Sequence, residues 1–150
     1  MSAPAPLPDL PVTFRPTRTR AVLLTAAGAI FVTVSLVALL LDRLSPAEKL
    51  SFVFTAALLA WVLLRLARPK VVAEESGVTI VNFGSVRRLE WAEIVQVNLR
   101  VGDPWVFLDL SDGTSLPAIG IQPGIAKEQA IAQTRTLRAL VEARTGEHRG

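Results

Sequence analysis

AVLLTAAGAIFVTVSLVALLL, residues 21–41, runs for 21 positions without a charge, and LSFVFTAALLAWVLL, residues 50–64, follows after a short polar loop. As a helix the first run rises roughly 30 Å, the hydrocarbon thickness of a bilayer. Twelve of its residues are Leu, Ile, Val or Phe. Each favours insertion by about 0.3–0.6 kcal/mol at the helix centre, and no charge opposes them. The sequence therefore predicts transmembrane helices at 21–41 and 50–66 joined by an outside loop at 42–49. Ser45-Pro46-Ala47-Glu48 reads as the start of the second helix, with Ser45 as N-cap, Pro46 in the first turn and Glu48 closing a capping box. A secretory signal is the competing account of the first run, but no small-residue cleavage site follows Leu41 and a second span does.

The charges orient this hairpin. Arg15, Arg18 and Arg20 precede the first run and Arg65, Arg68 and Lys70 follow the second, whereas the loop sets Arg43 and Lys49 against Asp42 and Glu48. That asymmetry predicts a multi-pass plasma-membrane protein with both termini in the cytoplasm. Arg65, Arg68 and Lys70 are candidate lipid-facing residues, because an anionic leaflet rewards each nearby cation by about 1 kcal/mol. Arg87 and Arg88 lie on a predicted strand, where neighbours face opposite ways, so at most one of them points inward and the outward one joins that group. The plain alternative is a solvated positive flank. Neither apolar core holds an ionisable side chain, so an ion path has no residue to run through. Thr25, Ala29 and Thr33 on the first span, and Ala56 and Ala60 on the second, recur every four residues and suit close helix packing, within the hairpin or between copies. Homo-oligomerisation is left open by these stripes.

The pI near 10.2 belongs to the anchor: residues 1–70 carry eight Lys or Arg against three acids, and residues 71–150 carry eight against ten. A slightly acidic soluble part with no basic, aromatic-interleaved stripe excludes nucleic acid as a partner. With no cysteine in the chain, disulfides, thiolate metal sites and thiol nucleophiles are all excluded.

Five of the ten prolines fall between Ser2 and Pro16, which predicts a disordered, Pro-rich cytoplasmic arm over residues 1–20. Beyond the spans, a domain over 71–146 and a short tail, 147–150, are expected. Strands are predicted at Val71–Glu74, Val78–Phe83 and Val86–Trp91, parted by Ser76-Gly77 and Gly84-Ser85. Val95, Val97, Leu99 and Val101 alternate with polar residues, which predicts one buried and one wet face. Trp105–Leu110 and Thr114–Ile119 form a hairpin across Ser111-Asp112-Gly113. Ile125–Thr145 reads as a helix with Ala130, Thr134, Leu137, Leu140 and Val141 on one face, bounded by Pro123-Gly124 and Gly146. The expected fold is thus a membrane-anchored α+β chain: a two-helix transmembrane hairpin, then a small antiparallel β-sheet or split barrel with one C-terminal helix.

This order, together with Gly77-Val78-Thr79-Ile80, Trp91-Ala92-Glu93-Ile94 and Trp105-Val106-Phe107-Leu108-Asp109-Leu110-Ser111-Asp112-Gly113, resembles a bacterial pleckstrin-homology (PH) domain. It resembles in particular the small actinobacterial membrane proteins of the low molecular weight protein antigen 6 family, in which two spans also precede the domain. The resemblance implies a PH-like fold at the membrane. One departure bears on ligands: where phosphoinositide-binding PH domains carry a basic first hairpin loop, this chain has Glu74-Glu75-Ser76-Gly77, so no phosphoinositide is expected.

No phosphate loop, nucleophile elbow or zinc spacing occurs, so no catalytic, cofactor-binding or metal-binding residue is expected. Asp109 and Asp112 read as turn residues rather than a metal pair, which would need more oxygen ligands. Glu74-Glu75 reads as a solvated turn, Trp91 and Trp105 as packing, and His148 lacks a Ser, Cys or Asp partner. The expectation is a non-enzymatic interaction or recruitment module whose partners are the lipid bilayer and another membrane or membrane-proximal protein. The alternative is a structural or accessory subunit of a cell-envelope complex that assembles through its transmembrane helices.

Overall fold

The computed structural model describes residues 7–149, with side chains through residue 146. Residues 1–6 of the arm and the side chain of His148 lie outside the described residues. The chain divides into two compact units, one built from the segment ending at Pro16 together with Pro69 onward, the other from Thr17–Arg68.

The second unit is a helical hairpin of α1 (Thr17–Leu40) and α2 (Pro46–Leu66). α1 begins four residues before the apolar run, and α2 begins at its capping box: the Ser45 hydroxyl accepts from the Glu48 N–H at 3.2 Å, and the Glu48 carboxylate accepts from the Ser45 N–H at 2.8 Å. Lys49 Nζ donates to the Leu39 carbonyl at 3.2 Å, satisfying one of the acceptors left open at the end of α1. The buried contacts of the hairpin fall on Ala27, Ala38 and Ala56, small side chains that let the helices approach. Thr25, Ala29 and Thr33 are exposed, so that stripe does not form the hairpin's own interface. Large apolar side chains are displayed along both helices, Val32, Leu36, Leu40 and Phe54 among them. Both are long and apolar enough to cross a membrane.

The first unit holds two antiparallel sheets and a helix. One sheet has the order β1 (Val12–Phe14), β2 (Lys70–Glu74), β3 (Gly77–Val81), β4 (Val86–Leu89), and the other the order β5 (Ile94–Asn98), β6 (Val106–Leu110), β7 (Ser115–Ala118). The chain closes with α3 (Lys127–Arg149). This is the antiparallel sheet and C-terminal helix expected of a PH-like domain.

Three local expectations are corrected. The arm expected to be disordered over 1–20 instead contains a strand, because Val12–Phe14 pair with Ala73–Val71 and Phe14 enters the core. The prolines at 11 and 16 flank this edge strand instead of interrupting it, where their missing N–H groups cost no ladder bond. Alternation through Val101 fails because the ladder shifts between Ile94 and Gln96: Ile94 and Val97 are buried, Val95 turns outward, and Val101 stands in solvent. A bulge of this kind moves a side chain to the other face. The strand expected to reach Trp91 stops at Leu89, and Trp91–Glu93 form a single 3-10 turn closed by Glu90 N–H to the Glu93 carboxylate at 2.6 Å.

α3 keeps its predicted face, since Ala130, Thr134, Leu137, Leu140 and Val141 are all buried. It starts at Lys127 rather than Ile125, which is exposed, and passes through Gly146 to Arg149 rather than leaving a tail from residue 147. Glycine within a helix costs about 1 kcal/mol, which the docked turns before it outweigh. Arg138 covers the free side of β5, its guanidinium donating to the Val97 carbonyl at 2.9 Å.

The two sheets are joined along a buried seam. Asn82, 8% exposed, donates from Nδ2 to the Pro117 carbonyl at 2.9 Å and accepts the Ile119 N–H on Oδ1 at 3.1 Å. Asn82→Leu keeps the branched heavy-atom skeleton but leaves one buried carbonyl and one buried N–H unpaired. A loss of about 2 kcal/mol is expected, measurable by denaturant unfolding of the full chain in detergent followed through the Trp91 indole resonance.

Candidate functional site

The start of α1 and the end of α2 meet at the cation-rich end of the hairpin, where they form a groove of about 330 Å³. Arg20, Arg65 and Arg68 line it together with Leu24, Trp61, Leu64 and Ala67. The helix pitch explains the set: Trp61 and Arg65 are four residues apart and share a face, as do Arg20 and Leu24. The Arg65 guanidinium lies over the Trp61 ring, 5.4 Å from its centroid, within cation–π range. Trp61 is itself 55% exposed. No carboxylate lines the groove.

Of the residues expected to face lipid, Arg65 and Arg68 are brought together here, and Lys70 is not. It is the half-buried first residue of β2, paired with Val81. Arg20 replaces it. Sequence reasoning counted Arg20 as part of the flank and missed its place in the groove, although the short loop of an antiparallel hairpin already sets the first turn of α1 beside the last turn of α2.

In the β unit, Arg87 and Arg88 are both exposed on β4, which ends its sheet with one edge unpaired. Neither points inward. The β2–β3 turn is acidic as expected, and Glu75 is held by Arg144 of α3 at 2.9 Å. Trp91 is buried, its indole N–H donating to the Glu74 carbonyl at 2.9 Å, and Trp105 is half-buried. Asp109 accepts from the Asn98 amide at 2.7 Å on the outer face of the β5–β7 sheet, apart from any metal-like cluster. Among the described residues, no three His, Asp or Glu side chains gather to hold a metal ion.

Asp112 does the work of a turn. The Thr114 hydroxyl, at 2.5 Å, and the Thr114 N–H, at 2.9 Å, both donate to its Oδ1 and hold its carboxyl below the ordinary aspartate value. A carboxyl depressed in the folded state contributes stability that is present above its unfolded value and lost as pH falls through the folded one. The expected result is a carboxyl-carbon NMR titration of Asp112 with its midpoint below the ordinary aspartate value, moving upward in Thr114→Val.

Residues 68–140 match the family model of the bacterial PH domain. Uncharacterized proteins of Mycobacterium bovis and Mycobacterium tuberculosis are 31% identical over 83 residues, which is 55% of this chain and 53% of each relative. The chain thus spans about half the length of the curated relatives it matches. No solved structure matches it.

Proposed function

We propose that the chain is a non-enzymatic interaction module anchored at the inner face of the plasma membrane, where its PH-like domain recruits or regulates another membrane or membrane-proximal protein. One observation supports the anchoring above all others: the apolar hairpin leaves the domain after β1 and returns at β2, and those two strands are hydrogen-bonded neighbours. A chain that enters a bilayer and comes back to pair with its own starting strand must cross an even number of times. Pairing and hairpin thus ask for the same two-span topology, with the domain and the N-terminal strand on one side. The apolar side chains displayed along α1 and α2 supply the reason to cross, and the flanking arginines favour the cytoplasm for that side.

Recruitment fits the surface of the domain. The unpaired edge of β4, carrying Arg87 and Arg88, suits an acidic peptide adding as a further strand. Anchoring raises the effective concentration toward membrane neighbours, so a weak edge suffices. Inositide recognition has no part in this reading, since the first hairpin loop is acidic and Glu75 already takes Arg144. Nucleic acid has none either. The narrower likeness to the low molecular weight protein antigen 6 family belongs to the same proposal and is supported by the two apolar helices ahead of β2.

The anchoring is tested by alkaline carbonate and by trypsin. The full chain stays with carbonate-washed membranes, and its domain is cut in inverted vesicles but not in intact cells. Release by carbonate, or cleavage from outside, overturns the reading. A photo-crosslinker at Val86 is expected to capture one neighbouring protein in full-length chains, and to lose it when residues 17–68 are replaced by a flexible linker. Capture of lipid alone overturns recruitment.

A second reading, that of a structural subunit assembling through its helices, is favoured by the exposed Thr25, Ala29 and Thr33 stripe. Ala29→Leu would then abolish crosslinked assemblies while leaving the domain folded.

A further inference from the structure

We infer that the groove between the start of α1 and the end of α2 binds one anionic phospholipid, its phosphate held by Arg20, Arg65 and Arg68 and an acyl chain lying along Leu24, Trp61 and Leu64. The inference rests on the reading that the hairpin spans a bilayer, and deepens it by naming a ligand.

Three arginines lining one groove repel one another, and the repulsion grows in the low dielectric beside hydrocarbon. Among the described residues none of the three has a carboxylate partner; the ion pair present is Arg144 with Glu75, in the other unit. The opposite end of the hairpin differs, because there Arg43 and Lys49 share their short loop with Asp42 and Glu48. The charge at the groove is therefore left for an anion from outside the chain. Planar guanidinium forks match phosphate oxygens in pairs, which gives the groove a preference for phosphate over a diffuse negative surface.

The rest of the lining narrows the class further. Leu24 and Trp61 lie about one turn deeper into the helices than Arg20 and Arg65, so the groove is cationic at its mouth and apolar further in. A free phosphate ion satisfies only the mouth, whereas a phospholipid satisfies both. Trp61 links the two: an indole favours the headgroup depth of a bilayer, and the Arg65 guanidinium lies over its face, where the cationic and apolar parts of the lining meet.

The test uses the full chain, extracted in mild detergent and reconstituted in nanodiscs of equal phosphatidylglycerol and phosphatidylcholine, with retained lipid counted by native mass spectrometry. One phosphatidylglycerol is expected to be retained in preference to phosphatidylcholine, falling roughly fivefold for each of Arg20→Gln, Arg65→Gln and Arg68→Gln. Arg18→Gln, on the same flank but outside the groove, is expected to leave retention unchanged, and circular dichroism checks that every variant keeps its helices. Equal retention of the two lipids overturns the inference. An equal loss with Arg18→Gln does so too, since the attraction would then be diffuse, and so does displacement of the lipid by millimolar inorganic phosphate. Carbonate separates the two levels of the argument: a protein stripped from membranes loses both anchoring and lipid site, whereas one that resists carbonate yet shows no lipid preference loses the lipid site alone.

Discussion

Phe14→Ala is expected to cost the β unit about 3–5 kcal/mol, the loss typical of deleting a buried aromatic side chain. Phe14 is 4% exposed and belongs to the same core cluster as Val71, Ile80, Leu108 and Leu137, although a helical hairpin of some fifty residues separates it from β2 in the chain. The measurement is amide hydrogen exchange of Val71 and Ala73 in the full chain in detergent, which should accelerate by at least about a hundredfold if exchange follows global opening. Exchange within a few-fold of the parent would mean that β1 is a dispensable fringe, and would remove the main support for a hairpin inserted into the domain. The same prediction warns against cutting the domain at residue 68, where the family match begins. Such a fragment loses β1 and the Phe14 ring together, and exposes the backbone edge of β2.

Gly120→Ala is expected to be as damaging, with a loss above about 3 kcal/mol. A Cβ built on Gly120 would lie 2.4 Å from the Lys70 Cα and 2.5 Å from its carbonyl carbon. Those are backbone atoms at the head of β2 and cannot rotate away. Ala118, Ile119 and Ile121 around the glycine are buried, and the Ile121 carbonyl accepts the Val106 N–H at 3.0 Å, so the segment has little room to move outward. A fall in the thermal midpoint of the β unit by many degrees would support this, with Gly102→Ala as the contrast in crowding, since nothing lies within 4 Å of a Cβ there. Gly102 has φ near +91°, so a modest backbone penalty is expected even in that contrast. Equal, small effects at both sites would contradict the seam.

Where the residues carried their own evidence, the sequence was sufficient. Two long apolar runs become helices because no charge, proline or turn signal interrupts them, and the Ser45–Glu48 box starts α2 because both of its bonds are local. The five buried positions of α3 follow from a period of 3.6. Asp-Gly at 112 and 113 turns the β6–β7 hairpin, where Gly113 has φ of +86°. The candidate groove was half legible: Arg65 and Arg68 stood out as cations beside an apolar run, while Arg20 became part of the same site only when the hairpin closed.

Sequence by itself determined the two helices of the hairpin, the order of the strands from β2 onward and the buried face of α3, along with the acidic character of the first β-turn, because these depend on a residue and its neighbours within a turn or two. Only the tertiary structure decided that Val12–Phe14 belongs to the domain, that Asn82 and Gly120 close the seam, and that Arg20, not Lys70, joins Arg65 and Arg68. Each of those outcomes is a contact between positions dozens of residues apart. It is set by which surfaces exclude water together once the chain has folded back, and no local pattern encodes that.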